Sequence, residues 1–166
     1  AVAAGVGADG VAARRRPDPH AARVAPVRTT TLRGVGAVGL LGVGIVHALW
    51  ASGSTWPASS AEALGEAVVG SSTGMPAPGA AWVVAVGAVG AAGVVAGGGA
   101  DRPVAVAVRR TVGAGILTRG VLGGVVACRI LGLPSPGPRF RSLDRAAYRP
   151  VCLVLGAAIL GSARRP

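Results

Sequence analysis

Few residues in this chain could do chemistry, and Arg119 is the sharpest of them. It stands near the middle of an apolar stretch, 111–131 in its full extent, whose other charge, Arg129, lies near its border. A guanidinium at the centre of a membrane-spanning helix costs at least ~2.5–3.5 kcal/mol unless it pairs, faces protein or lines a wet cavity. Arg119 therefore reads either as a group that binds an anion or a carbonyl oxygen, or as a structural side chain snorkelling upward or bonding helix carbonyls. His47 lies toward the end of an earlier apolar stretch, just before Trp50. Its imidazole, with an unperturbed pKa of ~6.5, could carry a proton; it could equally fix a helix contact as a neutral hydrogen-bonding group. Asp144, Tyr148 and Cys152 follow Phe140 at every fourth position, so a continuous helix would bring them to one face. Asp144 is the evident partner for Arg119 or for the neighbouring arginines. The blander reading makes Asp144 and Tyr148 interfacial anchors, the acid favoured near a helix N-terminus. Pro150 either interrupts that helix or sits in the first turn of the next.

Together with Trp50 and Trp56, these residues make a candidate polar cluster of His47, Trp50, Trp56, Arg119, Asp144 and Tyr148. Cys128 and Cys152 end one apolar stretch and begin the next. They are a thiol pair by position, open to a disulfide or redox role, although two small apolar residues in a helix interface is the commoner case. No Cys-x-x-Cys is present to lower a thiol pKa, and two cysteines and two histidines without ligand spacing give no metal site and no cofactor.

The elements that must carry these residues are helices. Of 166 residues, 51% are hydrophobic, 3% aromatic and 14% charged, with 28 glycines and a mean hydropathy of +0.58. Such a chain lacks the large side chains of a water-soluble core, but it suits helices that pack closely in lipid. Pro17, Pro19, Pro26 and the arginines make 1–33 a disordered tail by composition. Four spans follow, at about 34–51, 79–100, 111–131 and 150–163, with Arg109 and Arg110 marking the start of the third. The first has 18 residues, near the minimum for a ~30 Å hydrocarbon core. Between the first two, 59–69 is a short surface helix with Ser59 or Ser60 as N-cap and Glu62 and Glu66 on it. Gly93 with Gly97, and Gly120 with Gly124, have small-xxx-small spacing. The expected fold is all-α, an integral membrane bundle of four transmembrane helices.

The net charge is +11, and every basic residue is Arg. The arginines cluster between apolar stretches and form no amphipathic stripe, which argues against nucleic acid and for orientation by the positive-inside rule. Both termini are expected in the cytoplasm of a multi-pass cell-membrane protein. The basic second outer loop, with Arg139, Arg141, Arg145 and Arg149, runs against that rule. Trp50, Trp56, Trp82, Phe140 and Tyr148 would all fall at the outer interface, a one-sided aromatic belt.

The series His47-x-x-Trp50, Gly53-Ser-Thr-Trp56-Pro57, Arg119, then Phe140-x3-Asp144-x3-Tyr148-x-Pro150-x-Cys152-Leu153 resembles a small bacterial membrane family, domain of unknown function 3995, common in actinobacteria. The resemblance covers about 34–163, and its last block is the most specific. Arg149 departs from it, since a small polar residue is expected before the proline. The resemblance implies four spans and no assigned activity.

The reading favoured by these residues is a small binding or accessory protein. Its polar cluster would lie in the outer half of the bundle, toward a lipid headgroup, a small metabolite, a partner membrane protein or a second copy of itself. The alternatives are a membrane-embedded enzyme acting on a lipid-soluble substrate, with His47 as acid/base, and an oligomeric transporter or channel subunit.

Overall fold

The computed structural model describes residues 19–71, 77–98, 102–130, 132 and 134–163. The expected tail over 1–18 and the arginines at 164–165 lie outside the described residues. Among the described residues every regular element is helical.

Helix α1 runs from Pro19 to Ala51, so 19–33, where composition pointed to disorder, is already helical. A proline at the first helical position has no needed N–H to lose, and a helix formed in the apolar stretch extends outward at one hydrogen bond per residue. Helix α2, Ala61–Val68, is capped by Ser60, whose hydroxyl accepts from the Ala63 N–H at 3.2 Å. It buries Leu64, Gly65 and Ala67 and leaves Glu62 and Glu66 outside. Helix α3, Pro78–Ala96, starts on a proline and ends at Gly97. Gly93, expected to pack, faces open space; Gly97 instead supplies the positive φ of 134° that stops the helix.

Helix α4 spans Pro103–Ile130, starting well before the boundary expected at Thr111. Arg109 is thus inside the helix and only 1% exposed. The last helical run has three parts: α5 (Pro138–Leu143), a π-helical turn (Asp144–Tyr148) and α6 (Arg149–Ser162). Helical dihedrals persist through both joints, at Asp144 (φ −59°, ψ −45°) and Tyr148 (φ −65°, ψ −45°). Pro150 therefore does not interrupt the run. Its ring would clash with the carbonyl four residues back in an α-helix; the wider turn, in which the Arg149 N–H donates to the Asp144 carbonyl, makes the room.

Among the described residues three helices are long and apolar enough to cross a membrane: Thr29–Ala51 of α1, Pro78–Ala96 and Pro103–Ile130. Their outward faces are apolar, with Val38, Val83, Val86 and Val104 all largely exposed. The helices pack in the order α3, α1, α6, α4, with a lighter contact between α3 and α4. The core joins Leu40 of α1, Ala92 and Val95 of α3, and Leu155 and Ile159 of α6. Glycine lets these backbones approach: a Cβ on Gly156 would stand 2.6 Å from the Leu117 nitrogen of α4.

Candidate functional site

The site forms where α4 breaks. Gly123 has φ 79° and ψ 168°, a conformation that costs a side chain of the L form dearly and glycine little. The break interrupts the hydrogen-bond ladder, leaving the Gly124 N–H without its usual acceptor and the Gly120 and Val121 carbonyls without their usual donors. Buried backbone groups of this kind must find other partners. Here the last helical run provides them. The Gly124 N–H donates to Asp144 Oδ2 at 2.8 Å. Arg149 Nε donates to the Gly120 carbonyl at 3.0 Å, and its Nη2 to the Val121 carbonyl at 2.7 Å.

Asp144 uses its other oxygen on Arg119, whose Nη2 stands 2.8 Å from Oδ1. The carboxylate is only 3% exposed, so its charge is balanced by one guanidinium and one backbone dipole. Arg119 is less enclosed, with 29% of its side chain exposed, yet its Nη1 is buried and has no hydrogen-bond partner. Phe140, buried at 3%, closes the site from α5 and occupies the space a Cβ on Gly124 would need. A Cβ on Gly123 would come within 3.2 Å of Asp144 Oδ2. Both glycines are thus required, one for its dihedrals and one for close approach.

Tyr148 stands beside this network. Its ring lies 6.0 Å from that of Phe140, and its hydroxyl donates to the Ala67 carbonyl of α2 at 3.0 Å. Burial pushes the phenol pKa up, while Arg139 pulls it down and Asp144 adds to the rise. On α2, the Glu62 carboxyl is held below its ordinary value by hydrogen bonds from its own backbone N–H and from Ser60.

The other half of the expected cluster lies apart from this network. His47 Nδ1 lies 2.8 Å from the Val43 carbonyl; since a carbonyl only accepts, Nδ1 carries the proton in this contact. The ring packs on Trp50 at 5.0 Å, and Trp50 Nε1 donates to the Trp56 carbonyl at 2.7 Å. His47, Trp50 and Trp56 therefore form a group around the end of α1, and Arg119, Asp144 and Tyr148 a second around the α4 break. Among the described residues no hydrogen bond, ion pair or ring contact links the two groups. Cys128 and Cys152 are both free thiols, the first buried and the second half-buried beside Gly120.

Three participants escaped the sequence reading. Gly123–Gly124 was hidden by the abundance of glycine, although a glycine pair just past an intramembrane arginine was a usable signal. Arg149 stood out only as a departure from the family pattern, and it is the clamp on the broken helix. Arg109, taken as a boundary marker, is buried and donates from Nε and Nη2 to the Val94 carbonyl at 3.0 and 2.9 Å.

A helical, membrane-associated protein with a broken helix pinned by a buried aspartate paired to a half-buried arginine is the class these features define. The chain belongs to the family described as Protein of unknown function (DUF3995), which it matches over residues 40–159. No curated protein and no solved structure matches it.

Proposed function

We propose that this is a small four-span binding or accessory protein of the cell membrane, with both termini cytoplasmic. Its outer half would present Arg119 to an anionic or carbonyl-bearing group of a lipid headgroup, metabolite or partner helix. The three long apolar helices support the membrane setting, and α6 would supply the fourth crossing, with Tyr148 at its interfacial end. Helix α4, with 28 residues, is about 42 Å long against a ~30 Å hydrocarbon core. With Pro103 taken at the inner boundary, the roughly 20 residues before Gly123 would span that core and bring the break to the outer boundary, where water and headgroups begin. Broken helices at membrane depth are tolerated where they are buried in protein or line a cavity, and they are frequent features of ligand sites.

The observation that carries this reading is Arg119 Nη1. Asp144 engages one arm of the guanidinium, and the other is buried with no acceptor. A buried donor left unmade costs about 1–3 kcal/mol, and an arriving oxygen would recover it. His47 keeps its contacts with Val43 and Trp50, which favours binding over acid/base catalysis at Arg119.

The test is native mass spectrometry of the full chain in mild detergent, titrated with inorganic phosphate and with acetate. Arg119→Lys keeps a positive charge for Asp144 and removes the second arm. The expected result is adducts at least about tenfold weaker than wild type at equal helix content. Equal adducts in both proteins would sink the reading.

A further inference from the structure

The second outer loop is the anomaly in the charge pattern, and the structure accounts for only part of it. Arg149 is committed to the carbonyls of Gly120 and Val121, and Asp144 to Arg119. That leaves Arg139, Arg141 and Arg145 exposed and without a carboxylate. Among the described residues neither Arg141 nor Arg145 makes a hydrogen bond or ion pair, and Glu62 and Glu66 on the adjoining α2 bind neither. Three unneutralised positive charges are what orientation rules disfavour on an outer face.

Two hollows lie along this same helical run. The first, of about 530 Å³, is lined by Pro138, Arg141, Ser142, Arg145 and Ala146. The second is an open groove of about 330 Å³ between α1 and α6, lined by Val35, Gly39, Pro150, Val151, Val154 and Leu155. The first is basic and hydroxylated, the second almost wholly apolar. Pro138, Ser142, Ala146, Pro150 and Val154 recur at every fourth position. Such a row drifts around an α-helix, and the extra residue of the π turn takes back most of that drift, so the groove opens at Pro150, about one turn beyond the basic hollow on the same helical run. With the α4 break at the outer boundary, the basic hollow stands at headgroup level and the groove descends into hydrocarbon.

We propose that the two hollows together bind one anionic phospholipid. Its phosphate would be held by Arg141, Ser142 and Arg145, and an acyl chain would lie between α1 and α6. Charge complementarity selects the occupant: the guanidinium pair calls for an anion, and the groove below calls for an attached hydrocarbon chain, which free phosphate lacks. The site uses neither Arg119 nor Asp144; it rests on the membrane placement proposed above and goes beyond the binding reading.

The experiment is native mass spectrometry of the full chain in mild detergent, with phosphatidylglycerol, phosphatidylcholine of the same chains, and inorganic phosphate as probes. Wild type should retain phosphatidylglycerol on the order of 30-fold better than the Arg141→Gln/Arg145→Gln double variant. Arg139→Gln, outside the hollow, should retain most of it. Val154→Trp, which fills the groove, should weaken retention, and inorganic phosphate should not displace the lipid. Equal retention of the two lipids, displacement by phosphate, or indifference to Val154→Trp would each overturn the site. Arg119→Lys should leave phosphatidylglycerol bound; its loss there would move the lipid to the α4 break and overturn this proposal while sparing the Arg119 reading.

Discussion

Arg109 and Arg119 sit on one helix and answer the same problem differently. Arg109 is 1% exposed and directs two nitrogens at the Val94 carbonyl, near the end of α3. A positive charge close to a helix C-terminus meets the negative end of the dipole, so this arginine is bound into the packing of α3 on α4. Arg119 meets a carboxylate, not a carbonyl, and one of its nitrogens has no acceptor. Asp144 in turn holds the Gly124 N–H, and Arg149 holds the carbonyls on the other side of the break. Arg109 fastens a helix end, while Arg119 belongs to a network that keeps a helix open. Burial alone does not separate these two roles, since the more buried arginine is the one bound into the packing of α3 on α4.

The largest expected effect is at Asp144. Asp144→Ala leaves Arg119 and the Gly124 N–H, two donors, without their acceptor, at about 1–3 kcal/mol for each. Thermal unfolding in detergent should show it. Adding Arg119→Met should restore part of the loss, because the uncompensated charge goes too. If the single variant is as stable as wild type, the α4 break is held by something else. Next comes Arg109→Met, which removes charged hydrogen bonds from the α3 end at about 1.5–3 kcal/mol. Its loss should register as stability alone, with phosphate and acetate adducts unchanged; a drop in adducts at full stability would erase the distinction between the two arginines.

What the sequence made legible follows from what each signal depends on. Length and hydropathy are local properties, and they located the three long apolar helices within a few residues on α3 but not at the start of α4. That start was misplaced because a double arginine looks like a boundary until its partner is known, and the partner is a backbone carbonyl on another helix. Arg119 was visible as an isolated charge in an apolar run, and Asp144 was the natural acid to pair with it. The helix break was invisible because glycine serves both packing and positive φ, and only tertiary contact separates Gly123 from Gly113. Arg149 illustrates the same limit, since its acceptors are carbonyls exposed only once α4 has broken. The grouping of His47 with Arg119 was a matter of shared depth, and depth does not specify contact.

The smallest expected effect tests whether the Arg119–Asp144 network reaches beyond α4. Tyr148 follows Asp144 by one turn and donates to Ala67, one of the last carbonyls of α2, which a helix leaves without an internal donor. Tyr148→Phe removes that bond and nothing apolar, for a cost of about 0.5–1.5 kcal/mol. Burial raises the phenol pKa above its ordinary value of ~10. The folded protein therefore keeps this proton to higher pH than the unfolded chain does. The resulting stability is fully present below about pH 10 and is lost as pH climbs through the folded value. Wild type should show that alkaline fall in unfolding midpoint, and Tyr148→Phe should flatten it. Hydrogen exchange gives the sharper reading: amides of Ala61–Val68 should exchange faster in the variant while Gly124 stays protected by Asp144. Faster exchange at Gly124 as well would mean that α2 and the α4 break open as one unit, with Tyr148 joining the Arg119–Asp144 network to α2.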